Sequence, residues 1–327
     1  MIKVENLTKA FGSKVAVNNI SFNVERGEVL GFLGPNGAGK STTMRMITGF
    51  IPPSDGKASV GGHDVVENPI AAKQLLGYLP EAAPVYVDMT VKSFLTFCAE
   101  LSGMRGDSLK KAVNRAVELC FLEPVLYQSV DTLSKGYRHR TCLAQAIVHD
   151  PPVLVMDEPT DGLDPNQKHE IRTLIRRMGE NKAIIFSTHI LEEVEAVCSR
   201  AIIIDRGVVV AAGTPEELKR RSELGGAVRI SVRGITAPQF ADRLSALPQV
   251  RKVTVLDNNG SATVRVYPHD GVGKDLNGDF VRGLLEASNC WQVLDVRTEE
   301  GRLDEVFRKL TWSDTAKKTE PATAIAS

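Results

Sequence analysis

The stretch Gly34-Pro35-Asn36-Gly37-Ala38-Gly39-Lys40-Ser41-Thr42 lies between the apolar run Glu28–Leu33 and a helical pattern that begins at Lys40. Its spacing, G-x-x-x-x-G-K-S between strand and helix, restricts the fold more than any other feature of the chain. Glycines let successive backbone N–H groups converge on phosphate oxygens. The helix behind them adds its unpaired N–H groups and the positive end of its dipole. In such a loop Lys40 would reach the β- and γ-phosphates of a nucleotide, and Ser41 would ligate magnesium. A chance match arises in on the order of one chain in a hundred of this length, before the flanking strand and helix are counted. A dinucleotide-binding loop is excluded, because the third glycine of G-x-G-x-x-G would fall on Thr42.

A second apolar run, Val153–Met156, delivers Asp157 and Glu158 at its end. The C-terminal ends of strands are where α/β sheets bind ligands. Asp157 would hold magnesium, directly or through water, and Glu158 would polarise an attacking water. Two acids ending a strand mean little alone; together with a phosphate loop they point to phosphoryl chemistry. A third run, Ala183–Phe186, ends in Ser187-Thr188-His189, so His189 is the one histidine of six with a claim on the site. Between loop and carboxylates stands Leu133-Ser134-Lys135-Gly136-Tyr137-Arg138-His139-Arg140. Ser134 as an N-cap, with Gly136 close behind, makes an anion-binding helix terminus.

In this order the motifs resemble those of the ATP-binding cassette (ABC) ATPases, over about residues 1 to 222. Leu133–Arg140 is similar to the family signature Leu-Ser-Gly-Gly-Gln, with Lys135 and Tyr137 as departures. Asp161-Gly162-Leu163-Asp164-Pro165 resembles the D-loop, and Ser187-Thr188-His189 the switch histidine. The resemblance implies ATP and magnesium as cofactors and Phe11 stacked on adenine. It also implies that Ser134 and Gly136 of one subunit complete the nucleotide site of another. The family's Q-loop glutamine corresponds to Glu81 in Gly77-Tyr78-Leu79-Pro80-Glu81. A carboxylate there could still meet magnesium, but it adds negative charge near the phosphates. Leu-Pro-Glu here and Leu-Ser-Lys-Gly-Tyr later resemble the ABC-2 exporter ATPases of the antibiotic-resistance and gliding-motility types. Arg302-Leu303-Asp304-Glu305-Val306-Phe307 is similar to that subgroup's accessory domain.

The expected fold is an α/β phosphate-loop cassette: a mixed-sheet core, an antiparallel β subdomain, a helical subdomain, and a small C-terminal α+β domain. A chain of 327 residues suits two domains. The first spans 1–222. There Ile2–Phe11 and Val17–Val24 show the interrupted alternation of half-exposed strands, and Thr90–His149 is mostly helical, with Thr90 as an N-cap. The second spans 227–311. It reads as strand (Val228–Val232), helix (Ala237–Leu247), strand (Val250–Leu256), a turn at Asn258-Asn259-Gly260 and strand (Ala262–Tyr267). Helix (Phe280–Ala287), strand (Trp291–Val296) and helix (Leu303–Leu310) follow, a ferredoxin-like order. Residues 312–327 are Ala-, Thr- and Lys-rich and are expected to be disordered.

Composition decides among functions. The 40 Lys and Arg balance 40 Asp and Glu, and a neutral chain lacks the basic excess that nucleic-acid binding needs. No run approaches the roughly 20 apolar residues of a membrane span. Met1–Glu5 has no apolar signal core, and five scattered cysteines suit free thiols in a reducing cytosol. The expectation is an ATP-hydrolysing exporter subunit that pairs with a second ATP-binding subunit and powers a separate transmembrane permease. It would sit at the inner face of the cytoplasmic membrane through that permease. The alternative is an ABC ATPase of translation or DNA repair. Translation members usually carry two cassettes on one chain and repair members insert long coiled coils, neither of which is seen. A GTPase is disfavoured because Asn181-Lys182-Ala183-Ile184 lacks the guanine-reading acid.

Overall fold

The computed structural model describes residues 1–82, 85–257, 261–269 and 278–311. The turn expected at Asn258–Gly260 and the tail expected over 312–327 lie outside these described residues. Backbone packing divides the chain into two units, Met1–Pro215 with the segment from Leu310 on, and Glu216–Lys309.

The first unit opens with β1 (Ile2–Phe11) and β2 (Lys14–Val24), a hairpin in which Phe11 pairs with Lys14 across the turn Gly12-Ser13. The second strand therefore begins three residues before the first apolar position of its pattern. Then follow β3 (Val29–Leu33), α1 (Lys40–Ile47), β4 (Asp55–Val60), β5 (His63–Asp64), α2 (Pro69–Gln74) and β6 (Leu76–Leu79). Three helices come next: α3 (Val91–Leu101), α4 (Gly106–Leu119) and α5 (Lys135–Ile147). Thr90 caps α3 and Ser134 caps α5, each hydroxyl accepting from a backbone N–H three residues on. The unit closes with β7 (Val153–Asp157), α6 (Pro165–Gly179), β8 (Ala183–Thr188), α7 (Leu191–Val197), β9 (Arg200–Asp205) and β10 (Val208–Gly213).

These strands form two sheets. One is antiparallel, in the order β2-β1-β4-β5. The other is mixed, in the order β10-β9-β3-β8-β7-β6, parallel except for its edge strand β10. The uninterrupted apolar runs of β7 and β8 follow from burial on both faces. Val153, Val155, Ala183 and Ile185 pack with α1 and the antiparallel sheet. The alternate residues Leu154, Met156, Ile184 and Phe186 pack with α3 to α6. Full burial of a side chain such as Phe32 or Phe186 contributes roughly 1.5–3 kcal/mol.

The chain enters the second unit through the short helix α8 (Pro215–Lys219), whose residues from Glu216 on belong to it. The second unit contains β11 (Val228–Arg233), α9 (Ala237–Ser245), β12 (Val250–Asp257), β13 (Ala262–Pro268), α10 (Asp279–Ala287), β14 (Gln292–Thr298) and α11 (Leu303–Leu310). Its sheet order is β12-β13-β11-β14, all antiparallel, with Phe240 and Leu244 of α9 fully buried against it. That order of strands and helices is the split β-α-β of ferredoxin-like folds. Helix α9 stops two residues short of Leu247, whose N–H instead closes a tight turn on the Leu244 carbonyl.

Close approach of β6 to the end of α5 needs a glycine. A Cβ on Gly77 would run into the Ala146 carbonyl oxygen, and it would stand 2.7 Å from Leu154 Cδ2 and 2.9 Å from Pro151 Cγ. Gly77→Ala is expected to destabilise the protein by about 1–3 kcal/mol, the usual range for overpacking. Urea denaturation should show a lower midpoint at unchanged slope.

Candidate active site

Parallel pairing carries three chain segments to one edge of the mixed sheet. Leu33 of β3 stands opposite Thr188 of β8, and Asp157 of β7 opposite Ser187. The loop after β3, the acids ending β7 and the histidine after β8 therefore emerge side by side.

The loop Gly34–Gly39 leads directly into α1. Gly39, the residue before the helix, has φ 107°, and a Cβ there would lie 2.6 Å from the Ala16 carbonyl oxygen. Gly34 is pressed equally close, 2.5 Å from the Ile204 carbonyl oxygen. Both positions need glycine for space, and Gly39 also for conformation. Pro35 and Ala38 close the loop through an N–H to carbonyl bond of 3.2 Å, and Ala38 accepts from Gly207 at 2.9 Å. The Lys40 ammonium is 6 % exposed and donates to the Gly34 carbonyl at 2.8 Å and the Pro35 carbonyl at 3.3 Å.

A cleft of about 410 Å³ opens beside this loop. Asn36, Gly37, Gly39, Lys40, Ser41 and Thr42 form its floor. Phe11, half exposed at the end of β1, and Glu81 and Glu158 form its walls. Lys14 and Ala16 also line it, and no motif in the sequence marks either. The signal was the two-residue turn after Phe11, which returns Lys14 to the side of the aromatic.

Glu158 sits at φ 50°, a strained position for a residue with a side chain. Its N–H is held by Ser187, at 3.0 Å to Oγ. Its Oε1 lies 3.6 Å from Lys40 Nζ and its Oε2 lies 3.0 Å from His189 Nδ1. Asp157 does not line the cleft: it is buried, and its Oδ1 accepts from the Ser187 hydroxyl. The serine thus ties both carboxylate residues to β8. Among the described residues no cluster of three His, Cys, Asp or Glu could hold a metal by itself. Magnesium asks for less, taking one or two protein oxygens beside phosphates and water. The hard oxygen of Ser41 in the cleft fits that requirement, and Asp157, outside the cleft lining, would act through water.

Ser134, exposed, and Gly136, buried beside it, do not line the cleft of their own chain. Ser134 Oγ accepts from the Tyr137 N–H at 3.3 Å, and Gly136 packs on the Gln167 side chain at the start of α6. Lys135, the departure between them, lies across Gly162 and meets Asp161 Oδ2 at 2.9 Å.

A phosphate loop ending a parallel strand, with a desolvated carboxylate and a histidine at the neighbouring strand ends, defines a nucleotide-binding ATPase cassette. The family model described as "ABC transporter" matches residues 17–161. Linearmycin resistance ATP-binding protein LnrL of Bacillus subtilis (strain 168) is 33% identical over 95% of this chain and 98% of its own length. Nod factor export ATP-binding protein I of Burkholderia lata is 37% identical over 77% of this chain and 83% of its own. A solved structure titled "Structure of ATP binding subunit of ABC transporter" superposes with a TM-score of 0.63 at 28% identity, covering 68% of this chain and 92% of that one. The chain belongs to the ABC transporter ATP-binding proteins, and it is an ATPase.

Burial pushes the Glu158 carboxyl above the usual glutamate range, against the opposing pull of the His189 hydrogen bond and the His189 and Lys40 charges. A carboxyl raised on folding favours the folded state while protonated. That advantage is lost as pH rises through its folded value. Without nucleotide, Glu158→Gln should therefore melt higher than the parent at pH 8, with the gap closing as pH falls through the raised folded value and gone below about 4.5. Thermal melts across that range check the sign.

Proposed function

We propose that this chain is the ATP-hydrolysing subunit of an exporter, closing on a second ATP-binding subunit to drive a separate transmembrane permease. One observation carries the two-subunit part of the reading: Ser134 and Gly136 do not line their own chain's cleft. A site completed by this helix terminus takes it from another copy. The names of the relatives support export, since one concerns linearmycin resistance and another Nod factor export.

In this reading Phe11 stacks on the adenine, and residues 34–42 wrap the phosphates with backbone N–H groups and the Lys40 ammonium. Ser41 and, through water, Asp157 would hold magnesium, with Glu81 at the cleft wall as a third oxygen donor. Held there, the ion would supply positive charge against the phosphates. Glu158 orients and polarises the attacking water, and its contact with His189 keeps the carboxylate aimed. Among the described residues no helix is long and apolar enough to cross a membrane, so transport needs a partner that does. The chain would then sit at the cytoplasmic membrane through that permease.

A second groove of about 510 Å³ supports the place of that partner. Pro80 and Ala82 line it while Glu81, between them, lines the nucleotide cleft. The groove carries Arg45, Lys73 and the 71 % exposed Phe50. Its occupant would press on the wall that bears Glu81.

Three variants test this reading. Lys40→Ala removes a charge-assisted phosphate contact worth roughly 1.5–3 kcal/mol, so ATP should bind about ten- to a hundredfold more weakly. Glu158→Gln should keep ATP and accumulate as an ATP-dependent dimer on size exclusion. Undiminished turnover in either variant contradicts the assignment. For the partner, Phe50→Asp should abolish co-purification of this chain with a membrane protein while ATP affinity stays at the parent value. Retention of the complex would move the docking surface elsewhere.

A further inference from the structure

The strand ladders end at Asp157 and Thr188, and beyond them Ser187 holds the Glu158 N–H but not the side-chain contact between Glu158 and His189. His189 is half exposed, and among the described residues its ring hydrogen-bonds to Glu158 alone. Something else must hold the two turns in place. The candidate is a carboxylate that no phosphate or metal role uses. Glu193, in the first turn of α7, is 1 % exposed. Its Oε2 accepts from the Thr188 hydroxyl at 2.7 Å, and its Oε1 accepts from the Thr160 hydroxyl and, at 3.4 Å, from Arg172. Thr188 directly precedes His189, and Thr160 stands two residues after Glu158. The Thr188 hydroxyl also accepts from the Ile190 N–H at 3.0 Å, so the histidine is bracketed on both sides.

We propose that Glu193 is a positioning residue for ATP hydrolysis, holding the turn that bears Glu158 and the turn that bears His189 in one register. A carboxylate suits the task because it is acceptor-only and can take two hydroxyls and a guanidinium at once. Glutamine has the same shape but one accepting oxygen, so one hydroxyl loses its acceptor. Both threonines are buried, Thr160 at 2 % and Thr188 at 0 % exposure, and water does not replace the lost bond. The turns then drift, and a small misplacement of a catalytic pair is costly in rate. The phosphate loop is untouched, so ATP binding is preserved.

The inference rests on the reading that Glu158 and His189 carry the chemistry. Glu158→Gln, assayed alongside, tests that reading separately: if it leaves kcat at the parent value, the reading fails whatever Glu193 does. The experiment uses the full chain, with steady-state ATPase titrations and calorimetric ATP binding. Glu193→Gln should lower kcat by about ten- to a hundredfold while the ATP Kd stays within about twofold. Thr188→Val, which deletes the hydroxyl at nearly constant volume, should lower kcat similarly, and the double variant should fall no further than Glu193→Gln alone. If Glu193→Gln does not fold, Thr188→Val carries the test. Parent-like kcat in a folded variant overturns the proposal, as does a parallel loss of ATP affinity. Equal loss of kcat in Arg172→Met would assign the carboxylate to a structural ion pair and overturn it too.

Discussion

Parallel pairing of β3 with β8 and of β8 with β7 is the constraint on which the site depends. It sets three strand ends level, so that Lys40, Glu158 and His189 meet although they are far apart in the chain. Parallel strands are buried on both faces, and the two hydrophobic clusters that take alternate residues of β7 and β8 supply that burial. Core and site are thus one design. A strand slipped by one residue would exchange its faces between the two clusters and move its catalytic end by about 3.3 Å.

Opposed charges are placed at that edge with little water between them. Lys40 is 6 % exposed, and its ammonium is already held by the loop carbonyls at 2.8 and 3.3 Å. Glu158 is disfavoured as an anion by burial and relieved by His189 and Lys40. The carboxylate is held between these opposing influences, which suits the water-polarising role proposed for it. Such placement costs stability in the resting protein, and strain at Glu158, with φ at 50°, points the same way.

Much of this was legible in the amino-acid sequence. Gly34–Thr42 announces its own chemistry because only a strand–loop–helix can use that spacing, and Asp157-Glu158 and His189 follow as strand ends. The strand and helix order of Val228–Leu310 was readable from alternation and turn residues. Other features left no local trace. Lys14 enters the cleft through a hairpin register, and Ser187 acts through a hydroxyl that looks like any strand-end serine. Glu193 resembles the exposed Glu192 beside it until the packing of α7 buries one and leaves the other out. Tertiary burial, not residue type, gives that carboxylate its partners. Lys135 reads as a departure from a motif, and only its meeting with Asp161 across Gly162 gives it a place.

The central claim is that one copy's phosphate loop works with another copy's signature helix. Complementation tests it most directly. Lys40→Ala has an intact signature helix and no working loop; Ser134→Arg has an intact loop and a blocked helix terminus. Each alone should hydrolyse little ATP, whereas mixing them should restore turnover through mixed pairs with one complete site. Two inactive variants that form mixed dimers and stay inactive at every ratio would contradict the account, as would full activity in Ser134→Arg alone.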